Sequence, residues 1–281
     1  MKSFAVLSGA VVLVAAAYLL LMSGIFHTPD SLHTPSAYQP QAGPVLVVGA
    51  TGGTGLEIVN ELLGRGETVV ASVRETSDTA ALDALGVEQV VLDALRPDTV
   101  FAALTPGRFA AVVSTLGTSS RDLPERRNFL QSLVQGQVRM DPRARPDFYG
   151  NKAVIDAAVA AGIERFVLVT VIGAGSSAEA VPLPARPGHN DVTPLKTRAE
   201  DYLRDSGLDY IIIRPGGLGP RMQPAKTGTA RLTEDPLAFS YLGRPDLAQL
   251  TVEALGDRSA WNKTFTAYDE NRLYLWDMFV D

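Results

Sequence analysis

The run Val45-Leu46-Val47-Val48 leads directly into Gly49-Ala50-Thr51-Gly52-Gly53-Thr54-Gly55 and then into LEIVNELLGRG, and no other stretch restricts the fold as much. Leu56, Val59, Leu62 and Leu63 recur at helical spacing, and Gly64 can end a helix, so the order is strand, glycine turn, helix. Gly49, Gly52 and Gly55 make G-x-x-G-x-x-G. Glycine there permits the tight turn, close approach of backbone to a pyrophosphate and close packing of the helix on the strand. A glycine turn without a ligand is the plainer reading. The strand before, the helix after and a second strand at the right distance favour the phosphate cradle, so Gly49, Thr51, Gly52, Gly53, Thr54 and Gly55 are assigned to cofactor binding.

The rest of the chain extends this unit. Buried-type strands are expected at Thr68 to Val73, Gln89 to Leu92, Ala110 to Thr115, Arg165 to Val171 and Tyr210 to Ile213. Helical stretches such as Lys152 to Ala161 and Thr197 to Ser206 separate them. Strands apolar on both faces and alternating with helices imply an α/β fold, a Rossmann-type doubly wound parallel sheet covered on both sides, here over residues 44–281.

The residue closing the second strand selects the dinucleotide. An NAD site places a carboxylate about 20 residues beyond the glycines, whereas an NADP site offers a cation to the 2′-phosphate. Nineteen residues after Gly55 stands Arg74, whose fork suits phosphate. NADP is therefore expected over NAD, although Glu75 offers a carboxylate to a ribose hydroxyl.

Ahead of this domain, Ala5 to Phe26 carries no charge and as a helix spans about 33 Å, enough to cross a bilayer. A single N-terminal transmembrane helix in residues 1–26 is expected in preference to a cleaved signal peptide, whose apolar core is shorter. Lys2 precedes the span and no Lys or Arg follows until Arg65, which leaves the side of the membrane to one lysine. Residues 27–43, HTPDSLHTPSAYQPQAG, read as a Pro-rich extended linker with solvated His27 and His33.

Composition excludes several functions. There is no cysteine, so thiol catalysis and Cys-ligated zinc are ruled out, and three histidines make a His-built metal site unexpected. A net charge of −6 argues against general attraction to nucleic acid. One local exception is the segment 118–146, where six arginines face three acids. Its position after a strand suits a cover for the cofactor or a contact with an anion, including anionic lipid.

The segments VLVVGATGGTG (45–55), VVLDAL (90–95), VVSTLG (112–117), DFYGNKAVIDAAVAAGIERFVLVTVIGAG (147–175), LKTRAEDYLRDSGLDYIIIRPGGL (195–218) and RPDLAQLTVEAL (244–255) occur in this order. Together with Arg74 they give a chain that resembles the atypical short-chain dehydrogenase/reductases of the NmrA-like, NAD(P)H-binding kind, from about Val45 to Thr266. The resemblance implies that Asp93 lies by the adenine, that Ser114, Thr115, Leu116 and Gly117 line the cofactor, and that Lys196 holds the nicotinamide ribose. It also implies that Arg214, Pro215, Gly216 and Gly217 border the substrate. Simpler duties exist for each: a turn cap for Asp93, a solvated helix charge for Lys196, a structural exit from the strand for Arg214-Pro215.

Departures from the reductase pattern carry equal weight. Carbonyl-reducing members usually have Tyr-x-x-x-Lys, but Val192 stands four residues before Lys196. Where relatives often read Val-Ser-Ser, this chain has Val169-Thr170-Val171, so Thr170 alone keeps a hydroxyl and is, with Lys196, the candidate catalytic pair. No spacing singles out Tyr149, His189 or Tyr241 as a substitute acid. Two functions fit: a membrane-anchored NADP-dependent oxidoreductase acting on a small hydrophobic acceptor such as a quinone or flavin, which needs little proton assistance, or a non-catalytic NADP-binding redox sensor or assembly factor with a protein partner in a membrane complex.

Overall fold

The structure is a computed structural model and describes residues 11–17, 27–118, 141–181, 192–218 and 226–271. β1 (Val45–Val48), β2 (Val69–Val73), β3 (Glu88–Val91), β4 (Ala111–Ser114), β5 (Arg165–Val169) and β6 (Asp209–Pro215) are parallel and ordered β3-β2-β1-β4-β5-β6. β10 (Lys263–Tyr268) extends the sheet parallel to β6, and β8 (Arg231–Thr233) closes it antiparallel to β10. A separate parallel pair joins β7 (Gly217–Leu218) to β9 (Tyr241–Leu242).

Each strand feeds both faces because successive side chains alternate. Val45 and Val47 of β1 face the layer that carries α1 (Gly53–Gly64) and α6 (Arg244–Gly256), while Leu46 and Val48 face α3 (Pro97–Ala103), α4 (Asn151–Ala160) and α5 (Thr193–Arg204). A short α2 (Ala80–Ala84) joins β2 to β3. Strand order reverses between β1, flanked by β2, and β4, which opens a crevice at the carboxyl ends of the strands there. The expected strands are present within one or two residues. α5 starts at Thr193, four residues earlier than its periodicity suggests, because Pro194 occupies the first turn, where its missing N–H costs no helical bond.

Residues 27–43 do not hang free. The edge strand β8 would otherwise present unpaired backbone groups. Instead the His33 amide donates to the Leu232 carbonyl at 2.7 Å, and the Thr233 hydroxyl donates to the Ser31 carbonyl at 2.7 Å. His33, expected to be solvated, has a side chain only 10% exposed. Its ring packs on Phe265 and its Nε2 meets Asp257. His27 meets Asp235 at 2.6 Å. The segment then crosses the end of α6, where the Gln39 amide donates to the Gly256 carbonyl at 2.9 Å and the Tyr38 hydroxyl donates to Glu67. Gly256 admits the Tyr38 ring because a Cβ there would lie 2.3 Å from it. We call residues 27–41 the strap.

The expected membrane span, residues 5–26, lies outside the described residues except for 11–17, which are helical and exposed. Among the described residues no helix is long and apolar enough to cross a membrane. Of the Arg-rich segment 118–146, residues 119–140 lie outside the described residues.

Candidate dinucleotide site

A cavity of about 380 Å³ opens at the carboxyl ends of β1, β2 and β4. Its floor is the glycine turn. Gly49 has φ +85°, and a Cβ there would lie 2.7 Å from the Thr115 hydroxyl. A Cβ on Gly55 would lie 2.2 Å from the Gly49 carbonyl, so α1 approaches β1 as only glycine allows. α1 has no side-chain cap and no acid in its first turn, which leaves its first amides and positive dipole end for an anion. Thr51 and Gly52 line the cavity, whereas Gly53 and Thr54 stand in the first turn of α1.

Arg74 lines the rim at the end of β2, beside Ser72 and Ser77. Asp93 lines the same cavity after β3, and its carboxylate also accepts from the Leu95 amide at 3.0 Å, so it serves the turn and the wall together. Thr115, Leu116, Gly117 and Thr118 form the wall after β4. Ser114 does not: buried below that wall, it donates to Asn151 Oδ1 at 2.7 Å. Ala144 and Pro146, at the end of the Arg-rich segment, close the cavity from the far side.

Lys196 sits behind the wall. Its Nζ donates to the Leu116 carbonyl and lies 3.5 Å from Asp147 Oδ1. A Cβ on Gly117 would be 3.0 Å from that nitrogen and 3.2 Å from that oxygen. Burial pushes the Lys196 ammonium to titrate below the ordinary lysine value, while Asp147 and Glu200 pull it back up. Sequence reading missed Asp147 and Asn151. Both belong to the DFYGN segment, where an acid and an amide open an otherwise apolar helix. Asn151 Nδ2 donates to the Asp147 carbonyl at 2.8 Å and fixes a π-helical turn, Pro146–Gly150, at the start of α4.

The remaining site candidates lie elsewhere, and none lines this cavity. Thr170 is buried and donates its hydroxyl to Glu200 Oε1 at 2.8 Å. Arg214 donates Nε to Glu200 Oε1 at 3.0 Å, Nη2 to Oε2 at 2.5 Å and Nη1 to the Ser176 hydroxyl at 2.9 Å. Its charge is therefore committed inside the fold. Pro215 is buried and its carbonyl accepts from the Ile172 amide at 2.8 Å. Gly216 and Gly217 let β7 pass close to Ser240 and Tyr241: a Cβ on the first would meet the Ser240 carbonyl at 1.9 Å, and one on the second the Tyr241 ring at 2.3 Å. Of the substitute acids, Tyr149 packs on Phe148, Tyr241 is buried against Phe239, and His189 lies outside the described residues.

A doubly wound sheet, a glycine turn leading into an uncapped helix and a crevice at the strand-order reversal define a Rossmann dinucleotide-binding protein. The chain belongs to the NAD(P)H-binding family, whose model matches residues 49–258, in agreement with the NmrA-like resemblance. The Bacillus subtilis protein named "Uncharacterized sugar epimerase YhfK" is 28% identical over 226 residues, covering 79% of this chain and 92% of that one. The photosystem II assembly factor Ycf39 of Cyanophora paradoxa is 28% identical over 227 residues, and the match covers 79% of this chain but 62% of that one. Among solved structures, the anaerobillin reductase ChuY of Escherichia coli O157:H7 superposes with a TM-score of 0.64 at 27% identity, covering 81% of this chain and 98% of that chain.

Proposed function

We propose that the chain is an NADP-dependent oxidoreductase, held at a membrane by residues 5–26, that reduces a small hydrophobic acceptor of the quinone or flavin kind. The observation that carries this reading is Arg74 on the rim of a cavity whose floor is the glycine turn. Gly49, Gly52 and Gly55 make room for a pyrophosphate at the first amides of α1, Asp93 stands at the adenine end, and Arg74 meets the 2′-phosphate. When bound, the reduced nicotinamide supplies hydride. This chain's residues would orient it: Leu116 and Gly117 would supply a wall for it, and Lys196, behind Gly117, would hold its ribose. The acceptor class follows from the acid groups. Val192 replaces the usual tyrosine and the Thr170 hydroxyl is spent on Glu200, so an acceptor needing little proton assistance suits the site. The reductase activity in the ChuY name is consistent with this reading.

The same commitment of Thr170 favours a second reading, a non-catalytic NADP-binding sensor or assembly factor with a protein partner, and the Ycf39 name supports it. NADPH titration of the full chain by intrinsic fluorescence, followed by quinones and flavins with absorbance read at the nicotinamide band, separates the two. Acceptor-dependent oxidation supports the enzyme. Binding without turnover across the panel supports the sensor, and failure to bind either nicotinamide overturns both.

A further inference from the structure

The DFYGN turn places one acid where neither reading has used it. Asp147 is fully buried. Its Oδ2 accepts from the Thr118 amide at 3.0 Å and from the Thr118 hydroxyl. Among the described residues no hydrogen-bond donor comes within bonding distance of its Oδ1, and a buried carboxylate oxygen without one is costly. The group facing it is the Lys196 ammonium at 3.5 Å.

We propose that Asp147 is the positioning residue for Lys196: its carboxylate keeps that lysine an ammonium behind Gly117, so that a fixed cation faces the nicotinamide-ribose end of a bound dinucleotide. The inference rests on the dinucleotide-binding reading. Charges around Lys196 come from two elements, Asp147 on the π-helical turn and Glu200 on α5. Glu200 is already matched by Arg214 and by Arg204, whose Nη2 lies 3.1 Å from Oε2. Among the described residues Asp147 is ion-paired with Lys196 alone, which makes it the effective counter-ion. Burial without that counter-ion favours the neutral amine. The placement is held as firmly as the charge, because Asn151 ties the Asp147 carbonyl to Ser114. Pro146, next to Asp147, is itself a wall of the cavity.

The test uses the full chain and Asp147→Asn, which keeps size and removes charge. The chain has five lysines, so the Lys196 side-chain ¹³Cε resonance can be assigned with Lys196→Met and followed against pH without any nucleotide. In Asp147→Asn its midpoint should fall by one unit or more, the equivalent of about tenfold in proton affinity. NADP affinity should fall with it, and the deficit should widen as pH rises through the lowered midpoint. An unchanged midpoint, or an affinity loss equal at every pH, overturns the proposal. If Asp147→Asn fails to fold, Lys196→Met carries the test. Losing the cation leaves the Asp147 carboxylate buried without its counter-ion, so this variant's stability deficit against the parent should be larger at neutral than at acid pH; a constant deficit overturns the pairing. The lysine titration is read in the unliganded chain, so it judges Asp147 even if the parent binds no nucleotide and the functional reading fails.

Discussion

The His33 imidazole stands 2.8 Å from Asp257, across 224 positions of sequence. The same carboxylate accepts from the Ser36 hydroxyl, the Ser259 amide at 2.8 Å and the Ser259 hydroxyl at 2.7 Å. Burial alone would push the Asp257 carboxyl upward, but these bonds outweigh it and hold the group well below the usual carboxylate range. One acid just beyond α6 thus gathers two strap residues onto the sheet's far edge.

Because its folded-state value is depressed, Asp257 contributes stability that is complete above about pH 4 and fades in stronger acid. Asp257→Ala should therefore lower unfolding free energy near neutral pH by about 1–3 kcal/mol, with the gap to the parent closing only in strong acid. Urea denaturation at a series of pH values reads this directly; a gap that does not change with pH would refute the account.

Arg74→Ala should weaken NADP binding by roughly ten- to a hundredfold, the worth of one charge-assisted contact or slightly more, and leave NAD nearly unchanged. Parallel fluorescence titrations with the two nucleotides measure the ratio. Equal losses for both would remove the assignment of Arg74 to the 2′-phosphate.

At Gly55 the added methyl of Gly55→Ala would sit 2.2 Å from the Gly49 carbonyl, and the turn has to shift to admit it. A stability loss of about 1–3 kcal/mol is expected, with nucleotide binding reduced below detection because the same shift moves the cradle. A folded variant with parental affinity would show that the turn is not the phosphate site.

Arg214→Met should cost about 3–5 kcal/mol, since it leaves Glu200 buried beside Thr170 with its main partner gone. Combining it with Glu200→Leu should recover much of that loss, which thermal melts of the single and double variants would reveal. Selective loss of turnover at parental stability would instead return Arg214 to the substrate site.

The glycine turn, the first six strands and the crossovers between them could be read from the chain because their signals are local: apolar runs of strand length, helical spacing and glycines at fixed intervals. Arg74 and Asp93 reach the cavity for the same reason, each ending a strand whose position the pattern sets. The strap was not legible. Its Pro-rich, small polar composition matches a solvated linker, and its partners Leu232, Asp235, Gly256 and Asp257 lie some 200 residues away. The bonds of Arg214 and Thr170 to Glu200 were not legible, because nothing in their own segments announces that acid. Asp147 stayed hidden because an acid before an apolar helix reads as a turn.

The strap also decides how the domain answers tension. It begins at His27, immediately after residues 1–26, and its ties at His27, Ser31, His33, Ser36, Gln39 and Gln41 follow one another along the chain. A pull on whatever holds the N-terminus would peel these ties in sequence, each worth about 1 kcal/mol, before any strain reached Val45 and the turn that follows it. The strap would thereby act as a fuse, sparing the glycine turn until the last tie parts.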